Sequence, residues 1–313
     1  MDPVSGVSPA MYLPKDLTLA LCLLVAPSCR SADPSGQANG SPSPPSLTLQ
    51  GGTLINPGGA RVPNSSIVVE NGRIACAGTV TACPRPAGSK PVDIAGTYVA
   101  PGLVDAHVHY SQTGWVDGRP DAINLRAQYP YDSVVSALAS HPELFHRAYL
   151  CSGVTTVFDV GGFPWTLELA KRTRAAGDAP RVVATGPLLS TIQIDPDMRG
   201  AFTFMKDEAT VRAAVRTHLA GGAEAVKVWY IQVPDSLRRH TKAMLMAAGD
   251  EARKVGLRLV VHATEPDAAR DALEAGAAVL VHEVDADTVD ADLVAAIKRA
   301  GTIVIPTISV YAG

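Results

Sequence analysis

The 313-residue sequence is poor in aromatic side chains, at 5%, and has only five cysteines. Five cysteines cannot staple a small disulfide scaffold. Neither sign of charge predominates. There are 27 Lys and Arg against 30 Asp and Glu, for a formal net charge of −3, and charged residues make up 18% of the chain. With no basic stripe, and few aromatics interleaved with Lys or Arg, nothing points to nucleic acid as a partner. The apolar run at 17–26 (LTLALCLLVA) has ten residues, too few to cross a bilayer as a helix. What is present is 47% hydrophobic residues, rich in Ala and Val. That supports a large core of small and branched aliphatic side chains and argues against disorder.

The run at 17–26 follows Lys15 and precedes Ala26, Pro27, Ser28 and Cys29. This is the layout of a secretory signal, with Met11 as a second candidate start. Cys29 stands where a lipoprotein signal places its lipidated cysteine, although Pro27 and Ser28 depart from the usual small pair. Residues 1–30 are therefore expected to be a signal peptide or a lipoprotein signal, with a buried N-terminal helix as the third reading. Residues 31–46 are rich in Pro, Ser and Gly and read as a disordered linker. The expectation is an exported protein, periplasmic or extracellular, touching a membrane only through a lipid anchor at Cys29. In that setting Cys76 and Cys83 are a candidate disulfide. Cys151 is expected in the core.

Residues 47–100 carry short β-like runs separated by Gly51-Gly52, Asn56-Pro57-Gly58-Gly59 and Asn71-Gly72. Asn-Gly between two apolar runs signals a hairpin, so this stretch is expected to be a small β-domain. After Pro101-Gly102 the texture changes. Apolar runs at 103–109, 154–160, 181–188, 225–229, 258–263, 278–283 and 302–305 alternate with amphipathic segments that end near glycine. Val/Ile/Leu runs in alternation with helices predict an α/β fold with a parallel sheet buried on both faces. Seven such units over residues 101–313 suggest a (β/α)8 TIM-type barrel lacking its last strand. An open barrel leaves unpaired sheet edges, so the sequence is expected to be a C-terminally truncated piece of a longer protein, with a seven-stranded closure as the alternative.

Four of the eight histidines fall at the ends of predicted strands: His107, His109, His262 and His282. The other four, His141, His146, His218 and His240, are expected to be solvated. In Asp105-Ala106-His107-Val108-His109, residues two apart share one face of a strand, so both imidazoles can bind one metal ion. His262 and His282 close two later strands on the same end of the barrel, where such enzymes keep their active sites. Lys227 interrupts the apolar run 225–229. A buried lysine loses its charge readily and becomes nucleophilic. It can then take up carbon dioxide and bridge two metal ions as a carbamate; the alternative is a buried ion pair with Glu224 or another acid.

PGLVDAHVH at 101–109, GVTTVFDVGG at 153–162, AVKVW at 225–229, VVHA at 260–263 and LVHE at 280–283 resemble the amidohydrolase superfamily. Its imidazolonepropionase-like and Xaa-Pro dipeptidase-like exported members are the most similar. The resemblance runs over 47–313 and includes a small N-terminal β-sandwich half-domain. It implies two divalent metal ions, zinc in most members. His107 and His109 would hold the first, His262 and His282 the second, and carbamylated Lys227 would bridge both. A metal-bridging hydroxide would then hydrolyse a carbon–nitrogen bond of a small-molecule substrate. The family's remaining ligand and proton shuttle, an Asp at the end of strand eight, would lie beyond Gly313, so the catalytic residue is unassigned and the fragment is expected to be inactive. Tyr230 is the candidate substrate contact at the mouth, with Trp115, Arg119, Arg126 and Tyr129 in the long loop after strand one. A homo-oligomer is expected. The alternatives are a mononuclear deaminase or imidazolone-ring hydrolase, which would not need Lys227, and a metal-free anchored binding module.

Overall fold

The computed structural model describes residues 46–111, 127–193, 200–285 and 289–308. Residues 1–45, with the expected leader and Cys29, and Trp115, Arg119 and Arg126 lie outside these residues. Seven short strands come first: β1 (Leu47–Gln50), β2 (Thr53–Ile55), β3 (Arg61–Val62), β4 (Ser65–Glu70), β5 (Arg73–Thr79), β6 (Lys90–Asp93) and β7 (Tyr98–Val99). They form two small sheets, ordered β5-β4-β1-β6 and β3-β2-β7. The β4–β5 turn is Asn71-Gly72, with φ of 51° and 73°. Two consecutive positive φ values define the hairpin turn that Asn-Gly favours. Cys76 and Cys83 are joined, with Cα atoms 5.6 Å apart.

The α/β part follows as β8 (Leu103–Val108), α1 (Tyr131–Ser140), α2 (Glu143–Cys151), β9 (Val154–Asp159), α3 (Trp165–Thr173), β10 (Arg181–Ala184), β11 (Leu188–Ser190) and β12 (Phe202–Phe204). It continues through α4 (Glu208–Gly221), β13 (Ala225–Trp229), α5 (Asp235–Val255), β14 (Arg258–His262), α6 (Pro266–Glu274), β15 (Val279–Val281), α7 (Ala291–Ala300) and β16 (Ile303–Ile305). All neighbouring pairs in this part are parallel. Helices α4, α5 and α7 stop at Gly222, Gly256 and Gly301, whose left-handed backbones let their N–H groups cap the last carbonyls.

The described strands form two parallel sheets, β10-β9-β8 and β12-β11-β13-β14-β15-β16, and not one closed cylinder. The division falls inside the single strand expected at 181–188. Gly186 has φ of 74°, which an extended strand cannot accommodate, and Pro187 has no N–H to give a ladder. β10 and β11 are the two pieces.

The strands of the larger sheet sort their side chains by face. Val226, Val228, Leu259, Val261 and Leu280 pack against Met244, Leu245 and Ala248 of α5. On the opposite, inner face Ala225, Val260, Val279 and Val281 meet Phe158 and Ile305. Lys227 belongs to the inner face by alternation with Ala225.

Three expectations need correction. Cys151 is exposed and not in the core. His146 and His218 are buried, at 8% and 4% exposure, not solvated. His218 continues the stripe of Val211 and Val215 along the buried side of α4, so spacing alone places it inward. His141 and His240 are exposed.

Candidate metal centre

The four strand-end histidines come together on the inner face. The ring centroids of His107 and His109 lie 5.0 Å apart, those of His107 and His282 5.0 Å, and those of His262 and His282 4.6 Å. His262 follows ordinary alternation with Val260, and the other three reach this position by local irregularities. β8 carries an extra residue against β9 between Asp105 and Val108, where a carboxylate oxygen of Asp105 accepts the backbone N–H of His107. Val108 turns outward into a cluster with Val157 and Leu167. His107 and His109 therefore share the other face.

His282 does not follow strand alternation. Val279 and Val281 are inner and Leu280 is outer, so regular pleating would send His282 outward. Its backbone is left-handed, with φ of 74°, which breaks the alternation and turns the imidazole toward His107 and His262. Such backbone costs about 1–3 kcal/mol in a non-glycine residue and persists where surrounding contacts hold it. Here the N–H of His282 donates to the Ile305 carbonyl at 2.8 Å, and Nδ1 lies 2.7 Å from Thr307 Oγ1.

Lys227 is 2% exposed. The ion pair with Glu224 does not form, because Glu224 faces Arg174 and Arg181. No carboxylate pairs with Lys227 among the described residues. Burial without a partner brings its ammonium down to about 7. Its charge in turn acts on both His107 and His262. His262 is lowered to about 3, by burial first and then by Lys227 and His282. His107 is pushed far below the ordinary histidine range by burial, Lys227 and the other three imidazoles. These rings are neutral at physiological pH, the state that binds a metal ion.

Among the described residues no three His, Cys, Asp or Glu side chains stand as a finished metal cage. The donor set nevertheless fits divalent ions. Nε2 of His107 and Nε2 of His109 are 3.1 Å apart. Two nitrogens on one ion at about 2.0–2.1 Å each would be separated by about 3.0–3.4 Å. Nδ1 of His109 lies 2.6 Å from the Gly161 carbonyl oxygen, so it carries the proton and Nε2 is left with its lone pair. Metal-binding histidines are anchored through the second nitrogen in this way. Nδ1 of His107 is buried and has no partner among the described residues, so this ring lacks the anchor that Gly161 gives His109.

Tyr230, expected at the mouth, is elsewhere. It sits with Val226 and Val228 in the helix-facing core, and its hydroxyl donates to Asp271 on α6 at 2.8 Å. Trp229 takes the neighbouring place instead. It is half-buried, with its ring 6.3 Å from His262 and 5.4 Å from Phe202. Asp159 went unremarked in the sequence. It is a fully buried carboxyl at the end of β9, and a lone acid closing an apolar run was the signal that would have found it.

The amidohydrolase family pattern matches residues 98–310. An imidazolonepropionase of Acidiphilium cryptum is 26% identical over 278 residues, covering 80% of this chain and 65% of that protein. A solved putative prolidase from Bifidobacterium longum is 25% identical with a TM-score of 0.64, covering 86% of this chain and 62% of its own. A prolidase solved with N-methylphosphonate-L-proline shares the fold at 22% identity and a TM-score of 0.66, over 84% of this chain and 66% of its own. The chain thus spans about two thirds of the length of these relatives. A pattern match that takes in every strand from β8 to β16, including those that carry the four histidines and Lys227, makes this chain a member of the amidohydrolase family.

Proposed function

We propose that the protein is a metal-dependent hydrolase that opens a carbon–nitrogen bond, in an amide, peptide or cyclic amide, of a small molecule. The observation that carries this reading is Lys227, buried with no acid beside it among the described residues and next to imidazoles held neutral. A structural lysine at such a place would be expected to have a carboxylate beside it. His107 and His109 would hold one divalent ion and His262 and His282 a second, with zinc suited to this nitrogen-rich set. A neutral Lys227 amine can add to carbon dioxide and release a proton to solvent, leaving an anionic carbamate to join the two. When bound, such ions bring the pKa of water toward neutrality and polarise a carbonyl oxygen. The chain's own part is positional. His109 and His282 are oriented through Gly161 and Thr307, and Trp229, which lies near Phe202, stands edge-on beside His262. The eight-stranded barrel belongs to the same proposal, as do export through the leader and the oxidising compartment that the Cys76–Cys83 bridge would need. Relatives named imidazolonepropionase and prolidase support cyclic amides and dipeptides as the first substrates to try.

The test is metal analysis of the purified protein beside its Lys227→Ala variant, followed by a screen of cyclic amides, dipeptides and N-acyl amino acids. Two equivalents in the parent and one in the variant are expected. One equivalent in both would favour the mononuclear deaminase reading. No metal in the parent and no hydrolysis would remove the proposal.

A further inference from the structure

Asp159 lies at the end of β9 and is fully buried. No cation pairs with it among the described residues. Its Oδ2 accepts the backbone N–H of Tyr110 at 2.9 Å, and its Oδ1 accepts the N–H of Gly161 at 3.1 Å. The first N–H is in the peptide that follows His109, and the second is on the residue whose carbonyl meets its ring. Tyr110 follows His109 directly in the chain, and Gly161 supplies the carbonyl that receives the His109 Nδ1 proton. One carboxyl group thus holds the peptide that follows His109 and the residue that supplies the acceptor of its ring.

The seat is tight on the other side as well. Gly161 has φ of 141°, and a Cβ there would fall 2.4 Å from Leu188 Cγ. Thr185 N donates to the Asp159 carbonyl at 3.0 Å, which ties the start of the β10–β11 break to the same residue. Among the described residues the carboxyl has two fixed N–H donors and no other side-chain partner, so its local task is to place those donors.

We infer that Asp159 is the positioning residue for His109, fixing it as the Nδ1–H tautomer with Nε2 turned to His107. The use of that tautomer for metal rests on the function proposed above; the tautomer itself does not. Asparagine is nearly isosteric with aspartate but offers one acceptor oxygen and an NH2. It can satisfy one backbone N–H and must oppose the other.

The experiment uses 15N-edited NMR of the metal-free protein, with His109→Gln to assign the ring signals, on the parent, Asp159→Asn and Asp159→Ala. The parent is expected to show a single Nδ1–H tautomer at residue 109. The variants are expected to show mixed tautomers, more so in Asp159→Ala. Zinc affinity, measured by chelator competition, is expected to fall about 10–100-fold, as for other groups that orient a ligating histidine. Circular dichroism identifies the variants that fold, and the near-isosteric Asn keeps the comparison valid if Ala does not fold. An unchanged His109 tautomer in folded Asp159→Asn overturns the inference, whatever zinc does. A parent protein that binds no zinc but shows the tautomer shift upholds it while defeating the proposed function.

Discussion

Gly249 is the place where local propensity and packing make opposite predictions. It lies inside the 21-residue helix α5, and alanine in a helix interior is worth up to about 1 kcal/mol over glycine. A Cβ at this position, however, would lie 2.1 Å from the carbonyl oxygen of Ala275 and 3.0 Å from its carbonyl carbon. Ordinary carbon–oxygen contact is about 3.3 Å or more, so the overlap exceeds about 1 Å. The obstacle is backbone at the end of α6 and cannot rotate away. α5 and α6 must part, and the seam that opens is lined by Ala248, Ala252 and Ala272, all buried. Overpacking of this kind costs about 1–3 kcal/mol or more, with backbone displacement at the upper end. Taking the upper end and subtracting the helix gain, Gly249→Ala is expected to destabilise by about 2 kcal/mol net, lowering the Tm by about 4–8 °C. The control is Gly177→Ala, where a Cβ meets nothing within 4 Å and φ is ordinary. That change should be neutral or stabilising by up to about 1 kcal/mol, through the unfolded chain. Thermal and urea unfolding followed by circular dichroism decide the matter. A Gly249→Ala protein as stable as the parent would refute the reasoning, because helix propensity would then have outweighed the clash.

Burial lowers His218 to about 4 from its ordinary 6.5. The unfolded chain therefore takes up a proton between pH 6.5 and 4 that the folded chain refuses, and stability drops as pH falls through that window. The share due to His218 is up to about 3 kcal/mol. His218→Leu should flatten the pH dependence of urea unfolding between pH 4 and 6.5, and an unaltered slope would contradict the assignment. Tyr230→Phe removes the hydroxyl that bonds Asp271. It should lower stability by about 1 kcal/mol and leave KM unchanged for any substrate the protein hydrolyses; a large rise in KM would return Tyr230 to the substrate site.

Much of the strand layout could be read from the sequence because it rests on short-range chemistry. Parallel strands buried on both faces must be apolar runs, and their helices stop where glycine can turn left-handed, as at Gly222, Gly256 and Gly301. The clustering of His107, His109, His262 and His282 was legible from their places at strand ends. Their orientation was not. Pleating alone would have sent His282 outward, and only its positive φ explains the inward ring. Tyr230 failed for the complementary reason. It stands three residues after Lys227, and odd spacing on a strand means the opposite face. The split at Gly186-Pro187 was visible as residues but hidden by the apolar run around it. Asp159 closes an apolar run as a lone acid, but its partner just after β8, the backbone N–H of Tyr110 49 residues away, leaves no trace in spacing.

Each central strand presents two independent surfaces. The side chains that fasten β13, β14 and β15 to their helices are Val226, Val228, Leu259, Val261 and Leu280, and those that carry reactive groups lie across the same backbone on the other side. Chemistry and cohesion are thus written in alternate letters of one line. Replacements at Lys227, Trp229 or His262 change the inner face while leaving the contacts that fasten the strands to their helices in place.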